Sequence, residues 1–176
     1  MEFTIEITQY CDNGCEYCST NASEDGQHLS FRTIENFFNQ YKDLASRINI
    51  SGGEPLAHPE FYKILKYCKQ LTHNVWVYTN AIDQLIYNTD VIMEVKVEAN
   101  VCLVPGRDVY LPKNVSKTHL LQLIPQGMAK GMTPGKYHAS SNIAEQNDHK
   151  HDCSTCKHIV LQADGKIVHA PCKKEY

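Results

Sequence analysis

The chain has 176 residues, 42% hydrophobic and 21% charged, with a formal net charge of −3 at pH 7. That composition excludes a disordered or fibrous chain and fits one core with a small appendage. The acidic balance and scattered Lys and Arg offer no patch for nucleic acid, and no apolar run of about 18 residues exists to span a membrane.

The opening Met1-Glu2-Phe3-Thr4 lacks the basic and apolar regions of a secretion signal, so a cytoplasmic location is expected. Eight cysteines would suggest a disulfide framework in a secreted chain. Six of them fall in two tight groups, which favours metal binding.

In chain order, Phe3 to Gln9 reads as a short strand, followed by Cys11-Asp-Asn-Gly-Cys15-Glu-Tyr-Cys18. Positions 11, 15 and 18 would share one face of a helix, but Asn13-Gly14 favours a turn or left-handed backbone, so a loop is expected. Three thiolates can hold one corner of an iron–sulfur cubane and leave its fourth iron open. A structural zinc site is the competing reading, and it usually takes a fourth protein ligand, which is missing nearby.

Ser30 is placed to cap a helix in which Phe31, Ile34, Phe37, Phe38, Tyr41, Leu44, Ala45 and Ile48 recur at helical spacing. Arg47 to Ile50 is a second strand leading into Ser51-Gly52-Gly53-Glu54-Pro55. His58-Pro59-Glu60 opens a second helix with Phe61, Ile64, Leu65, Cys68 and Leu71 inward, which makes Cys68 a core residue. Val75 to Tyr78 is a third strand ending at Thr79-Asn80. The alternation of strand and helix predicts a parallel sheet with right-handed crossovers. The cysteine loop, the Gly-Gly-Glu turn and Thr79-Asn80 then share the rim at the carboxyl ends of the strands, where such sheets bind ligands.

Cys11-x3-Cys15-x2-Cys18 with Tyr17 before the last cysteine, Ser-Gly-Gly-Glu-Pro at 51–55 and Thr79-Asn80 together resemble the radical S-adenosylmethionine (SAM) enzymes. The likeness covers about the first half of the chain in strand order as well as motif. It implies a 4Fe-4S cluster on Cys11, Cys15 and Cys18, with SAM chelating the open iron. It further implies that Gly52, Gly53 and Glu54 hold the methionine amino group, that Tyr17 contacts adenine, and that Asn80 lies near the cofactor. Glu98 and Asn100, after a fourth strand at 90–97, match positions that contact the ribose in the family. The plain alternatives are a turn residue at Asn80 and surface polar residues at 98 and 100. Ala81 stands where many members of the family have glycine.

The second half departs from the family pattern. No helical period appears between residue 97 and Leu120; 101–104, 108–111 and 119–124 read as short strands separated by Pro105-Gly106 and Pro112-Lys113-Asn114. The expected fold is therefore α/β, an incomplete βα barrel over residues 1–125 with a parallel sheet. A linker or loop at 126–150 and a small hairpin half-domain at 151–176 follow. In that last part, Cys153-x2-Cys156 precedes an alternating hairpin from His158 to His169 with an Asp164-Gly165 turn, and Cys172 follows. The hairpin returns Cys172 to the first pair. This pattern resembles the "twitch" half-domain of radical SAM enzymes and implies an auxiliary 4Fe-4S cluster. The alternative is zinc completed by His151, His158 or His169, with Cys102 a further candidate ligand.

The resemblance implies one-electron reduction of the first cluster by a donor such as flavodoxin or ferredoxin. SAM is then cleaved to a 5′-deoxyadenosyl radical, which abstracts hydrogen from a substrate. No catalytic acid or base can be named from the sequence. An open barrel suits a peptide or protein substrate, while the C-terminal likeness suits a nucleotide. A non-enzymatic iron–sulfur or zinc interaction module is the third reading, against which the intact Gly-Gly-Glu stands.

Overall fold

A computed structural model describes residues 1–80, 98–103, 117–122 and 157–169. Its elements are β1 (Glu2–Thr8), α1 (Phe31–Tyr41), β2 (Arg47–Gly52), α2 (Phe61–Leu71), β3 (Val75–Val77), β4 (Glu98–Leu103), β5 (Lys117–Gln122), β6 (Ile159–Leu161) and β7 (Ile167–His169). They fall into two units. One holds β1 to β3, both helices, β6 and β7; the other holds Cys15–Thr20 with β4 and β5.

In the first unit the strands form one sheet in the order β3-β2-β1-β6-β7. All neighbours are parallel except the β6–β7 hairpin. Alternation along β1 decides its faces. Phe3, Ile5 and Ile7 are fully buried, whereas Glu2, Thr4 and Glu6 point to the opposite face and are half-buried. In β2, Ile48 and Ile50 continue the apolar face, and Asn49 and Ser51 the polar one.

The apolar face is covered by the two helices. Ile34, Phe37 and Phe38 of α1 and Phe61, Ile64, Leu65 and Cys68 of α2 are buried in one cluster with the strand residues. Phe3 meets Phe37 and Phe38 edge-on, each with ring centroids 5.7 Å apart, a favoured aromatic geometry. Each such buried side chain contributes about 1.5–3 kcal/mol. Burial also pushes the Cys68 thiol up to about 12, so it behaves as a core residue as expected.

The Ser30 cap is observed: its hydroxyl accepts the Thr33 N–H at 3.2 Å. Helix α1 is shorter than its apolar period suggests. It tightens into a 3-10 turn at Lys42–Leu44, and Leu44 is 51% exposed. Helix α2 begins at Phe61, so Pro59 and Glu60 precede it rather than form its first turn. The imidazole of His58 does the work expected of a cap side chain. Its Nδ1 accepts the Glu60 N–H at 3.0 Å, while Nε2 donates to the Leu29 carbonyl at 2.8 Å. These bonds fix one neutral tautomer.

The segment assigned by sequence to a fourth strand, 90–97, lies outside the described residues. Glu98 and Asn100 lie within β4 rather than after a strand. Strands β4 and β5 pair in parallel from Glu98↔Lys117 to Leu103↔Gln122. Parallel pairing rules out a tight hairpin between them.

The Asp-Gly hairpin forms as the sequence indicates. Gly165 takes φ +82°, and its N–H donates to the Gln162 carbonyl at 2.8 Å. The hairpin is not a sheet of its own, however. β6 joins the free edge of β1, with Phe3↔Ile159, Thr4↔Val160 and Ile5↔Leu161 in register. Ile159 and Leu161 fall on the apolar face and are buried there, which explains the docking. Among the described residues, no helix is long and apolar enough to cross a membrane.

Burial lowers the His58 pKa. The folded protein therefore binds fewer protons at this site than the unfolded chain below about pH 6.5. The His58 contribution is complete above that pH and is lost as pH falls through the depressed folded value. A melting-temperature profile from pH 7.5 to 5 is expected to fall for the wild type and to be flatter for His58→Gln.

Candidate functional site

The rim at the carboxyl ends of β1, β2 and β3 is held together mainly by backbone. Strand β1 ends in a register irregularity between Glu6 and Thr8. This turns Thr8 out of the strand's alternation and buries it fully. Its hydroxyl oxygen accepts the Tyr10 N–H at 2.9 Å and lies 2.8 Å from His28 Nδ1. The segment that follows is clamped by the return of the chain. Gln9 N–H donates to Gln27 O at 2.8 Å, Cys11 N–H to Ser23 O at 3.0 Å, and Ser23 N–H to Gln9 O at 3.0 Å.

Three glycines let other backbone reach this stem. A Cβ on Gly26 would stand 2.1 Å from the Gln9 carbonyl, one on Gly52 2.3 Å from Thr8 O, and one on Gly53 2.1 Å from Tyr10 O. Gly52 also has φ +131°, a region that excludes most side chains. Their smallness lets the Gly-Gly-Glu turn dock: Gly53 N–H donates to Thr8 O at 2.7 Å and Glu54 N–H to Tyr10 O at 2.8 Å. The family resemblance assigned Gly52 and Gly53 to a ligand. In the fold the near neighbour is the stem of the cysteine loop.

Glu54 is buried, only 6% exposed. Its Oε1 accepts the Leu56 N–H at 3.1 Å and the Thr79 hydroxyl at 2.5 Å; Oε2 accepts the Asn80 N–H at 3.0 Å. The carboxylate thus caps the 3-10 turn Pro55–Ala57 and ties the exit of β2 to the exit of β3. A carboxylate has about four acceptor positions, so one more donor can be taken. Thr79 and Asn80 are therefore joined to Glu54 by direct bonds, and the Asn80 side chain is exposed.

The cysteine stretch is a loop, as expected. Gly14 adopts φ +56°, and Cys15 and Cys18 are the ends of a turn in which Cys18 N–H donates to Cys15 O at 3.1 Å. Cys18 Sγ lies 3.3 Å from Thr20 Oγ1. All three thiols are half-buried and free of disulfides, as is the Tyr17 side chain half-buried. Cys11 belongs to the first unit; Cys15, Tyr17 and Cys18 belong to the second, the unit that holds Glu98 and Asn100. Among the described residues, no three His, Cys, Asp or Glu side chains already stand as a ready metal site. Cys153, Cys156, Cys172 and His151 lie outside the described residues, and Cys102 is in β4.

The donor set suits a soft iron–sulfur group: three half-exposed thiols on a glycine-containing loop. Beside the loop's stem stands a carboxylate with one acceptor position left, which suits an ammonium group. Sequence reasoning missed the role of Gly26, the Thr8–His28 contact and the bond from Thr79 to Glu54. It also missed the polar face of the sheet, for which Glu2-x-Thr4-x-Glu6 and Asn49-x-Ser51 were a readable signal.

Comparison with known proteins bears on this arrangement. The family model of the radical SAM superfamily matches residues 5–105, more than half of the chain. Among curated proteins, the GTP 3',8-cyclase of Psychromonas ingrahamii is 33% identical over 66 residues, 35% of this chain and 20% of that protein. The mycofactocin maturase MftC of Mycobacterium ulcerans is 30% identical over 76 residues, 42% of this chain and 20% of that protein. The matches thus span about a fifth of each curated relative's length. The crystal structure of BtrN in complex with AdoMet and 2-DOIA shares the fold with a TM-score of 0.55 at 14% identity, covering 95% of this chain and 71% of that one.

Two substitution pairs test the geometry. Gly53→Ala drives a methyl into the Tyr10 carbonyl and is expected to cost about 2–3 kcal/mol in urea unfolding. Gly14→Ala, whose Cβ meets open space but whose φ is positive, should cost about 1 kcal/mol. Glu54→Ala strands three donors and should cost about 2 kcal/mol in the metal-free protein. Glu54→Gln keeps one acceptor oxygen, enough for Leu56 and Thr79, but sets an amide N–H against the Asn80 N–H, and should cost about 1 kcal/mol; an unchanged stability of Glu54→Ala would show that the bonds to Leu56, Thr79 and Asn80 do not stabilise the rim.

Proposed function

Because the chain belongs to the radical SAM superfamily, we propose that it is a radical enzyme that modifies a peptide or protein. One observation carries the reading: a buried carboxylate, Glu54, bonded to the exits of β2 and β3 and docked on the stem of a three-cysteine loop. Superfamily membership implies a 4Fe-4S cluster and SAM. When bound, they supply one-electron cleavage of SAM and hydrogen abstraction by the 5′-deoxyadenosyl group.

The chain's own contribution is binding and orientation. Cys11, Cys15 and Cys18 are the ligands for the cluster, and the Cys15–Cys18 turn sets two of them three residues apart on one bend. Glu54 keeps one acceptor position for the methionine ammonium, and Thr79 and Asn80 stop its carboxylate from turning. Gly52 and Gly53 keep that carboxylate against the loop stem. Tyr17 and, from β4, Glu98 and Asn100 are proposed to meet the adenosine; that Tyr17 shares a unit with β4 supports it.

We further read the architecture as a partial βα barrel. Cys153, Cys156 and Cys172 are proposed to form a second site of twitch type, holding an auxiliary 4Fe-4S cluster or zinc. An external one-electron donor of flavodoxin or ferredoxin type completes the system. The likeness to a protein named a maturase supports a peptide or protein substrate. The likeness to a GTP 3',8-cyclase favours the second reading, a nucleotide.

Anaerobic reconstitution tests both parts. Two cubanes predict about eight irons per chain, and 5′-deoxyadenosine should appear with dithionite and SAM. Cys11→Ser is expected to abolish it, while replacing Cys153 and Cys156 by alanine is expected to spare SAM cleavage. About four irons with one zinc would remove the auxiliary cluster. No 5′-deoxyadenosine with any candidate substrate would count against the enzyme.

A further inference from the structure

The face of the first sheet opposite the two helices is polar, and it borders a cavity of about 560 Å³. A parallel sheet packed by helices on both sides would be apolar throughout its strands, so the alternation in β1 and β2 marks a face kept for something polar. Register divides this face into rows that cross the strands. Glu2 stands level with Arg47 and His158, Thr4 with Asn49 and Val160, and Glu6 with Ser51. Continuing the β1–β6 register by one residue puts Gln162 on the other side of Glu6.

The first two rows are satisfied among themselves. Asn49 Oδ1 accepts Arg47 Nε–H at 3.0 Å, and its amide donates to Glu2 Oε1 at 2.8 Å and to Thr4 Oγ1 at 3.3 Å. Thr4 Oγ1 in turn lies 2.7 Å from His158 Nε2, and the Glu2 charge is matched by Arg47 at 3.8 Å. These groups form a closed, hydrogen-bonded floor.

The row at the carboxyl end is different. Glu6 is half-buried and its carboxyl accepts the Ala163 N–H; burial pushes its pKa up, and the Asp164 charge adds to the rise. Asp164 is itself paired with Lys166. Among the described residues no cation pairs with Glu6, and the side chains of Ser51 and Gln162 make no hydrogen bond. Adjacent strands lie about 4.8 Å apart, so the Ser51 hydroxyl and the Gln162 amide flank the Glu6 carboxyl within reach of one small group. All three offer an acceptor oxygen. A half-buried carboxylate without a cation is costly, and three acceptors around one negative charge match the three N–H donors of a primary ammonium.

We propose that Glu6, Ser51 and Gln162 bind a primary ammonium group of the substrate, with Glu6 as its charge partner and Ser51 Oγ and Gln162 Oε1 as neutral acceptors. Under the peptide reading given above, on which the word substrate rests, that group is a lysine side chain or an N-terminal amine; the ammonium site itself does not depend on it. Tyr78, level with Ser51 on the β3 side and part of the cavity lining, walls the group's apolar stem. From Glu6 to Thr8, where the Gly-Gly-Glu turn docks, the strand rises about 7 Å. The ammonium is therefore held just below the rim, next to the stem of the cysteine loop and Glu54.

Trp76, the chain's one tryptophan, is level with Asn49 on the same face and serves as a reporter. Titrating the full chain with n-propylammonium chloride should give a saturable fluorescence change, confirmed by calorimetry, whereas tetramethylammonium, which has the charge but no N–H, should bind at least tenfold more weakly. Glu6→Gln, which keeps an acceptor for Ala163, is expected to weaken propylammonium binding about tenfold and Ser51→Ala by a few-fold, while Glu60→Gln, just before α2, leaves it unchanged. In the wild type the Glu6 carboxyl carbon resonance should move with the same saturation curve. Tighter binding of N-acetyl-Ala-Lys-Ala-amide than of Ala-Ala-Ala-amide identifies a lysine side chain, and the reverse an N-terminal amine. The proposal is overturned if propylammonium does not saturate below about 50 mM, if tetramethylammonium binds equally well, if Glu6→Gln binds as the wild type does, or if the Glu6 resonance stays fixed. If the peptide reading alone is wrong, propylammonium binds and neither peptide does; if the radical chemistry is wrong, 5′-deoxyadenosine is absent while the titration is unaffected.

Discussion

The close approach of the Gly-Gly-Glu turn to the backbone of Thr8–Tyr10 is the constraint on which the rim depends. With any side chain at Gly53, the Tyr10 carbonyl would be in collision range, and the bonds from Gly53 to Thr8 and from Glu54 to Tyr10 would open. Those bonds fix where the cysteine loop departs from β1. They also bring the Glu54 carboxylate to a place where it can hold β3 as well.

Under the proposed function, Glu54 has two duties that share one geometry. As a cap and tie it closes the exits of β2 and β3 with three hydrogen bonds. As a buried acceptor with one position left, it is the group a cationic ligand would meet. A side chain already held by three donors is oriented before the ligand arrives, so binding need not supply the ordering. The same economy appears in His58, whose ring spans Leu29 and the start of α2 and so links the end of the cysteine loop's return to the second helix.

The sheet separates two environments by the simple alternation of its strands. One face builds the core with Phe3, Ile5, Ile48 and Ile50 under two helices; the other carries Thr4, Asn49 and Ser51 into a polar cavity. The C-terminal hairpin extends both at once. Ile159 and Leu161 lengthen the core, and His158 closes the hydrogen-bonded floor through Thr4. A segment about 150 residues away along the chain is thus part of the first strand's surroundings.

Local signals were legible in the sequence. The cysteine spacing and the Asn-Gly within it gave a loop, the Ser30 cap and apolar periods gave the helix faces, and Asp164-Gly165 gave the hairpin, because each depends on neighbours within a few residues. Even so, the apolar period of the first helix ran past its end, and the second helix began later than its proline suggested, since termini are set by caps and by the packing around them. Tertiary structure alone decided that the hairpin joins β1, that the glycines face the loop stem, that Glu54 binds Thr79 and Asn80, and that the polar strand positions line a cavity. The physical reason is that these outcomes depend on contacts between residues far apart in the chain, and such contacts leave no period or spacing in the sequence by which they can be read.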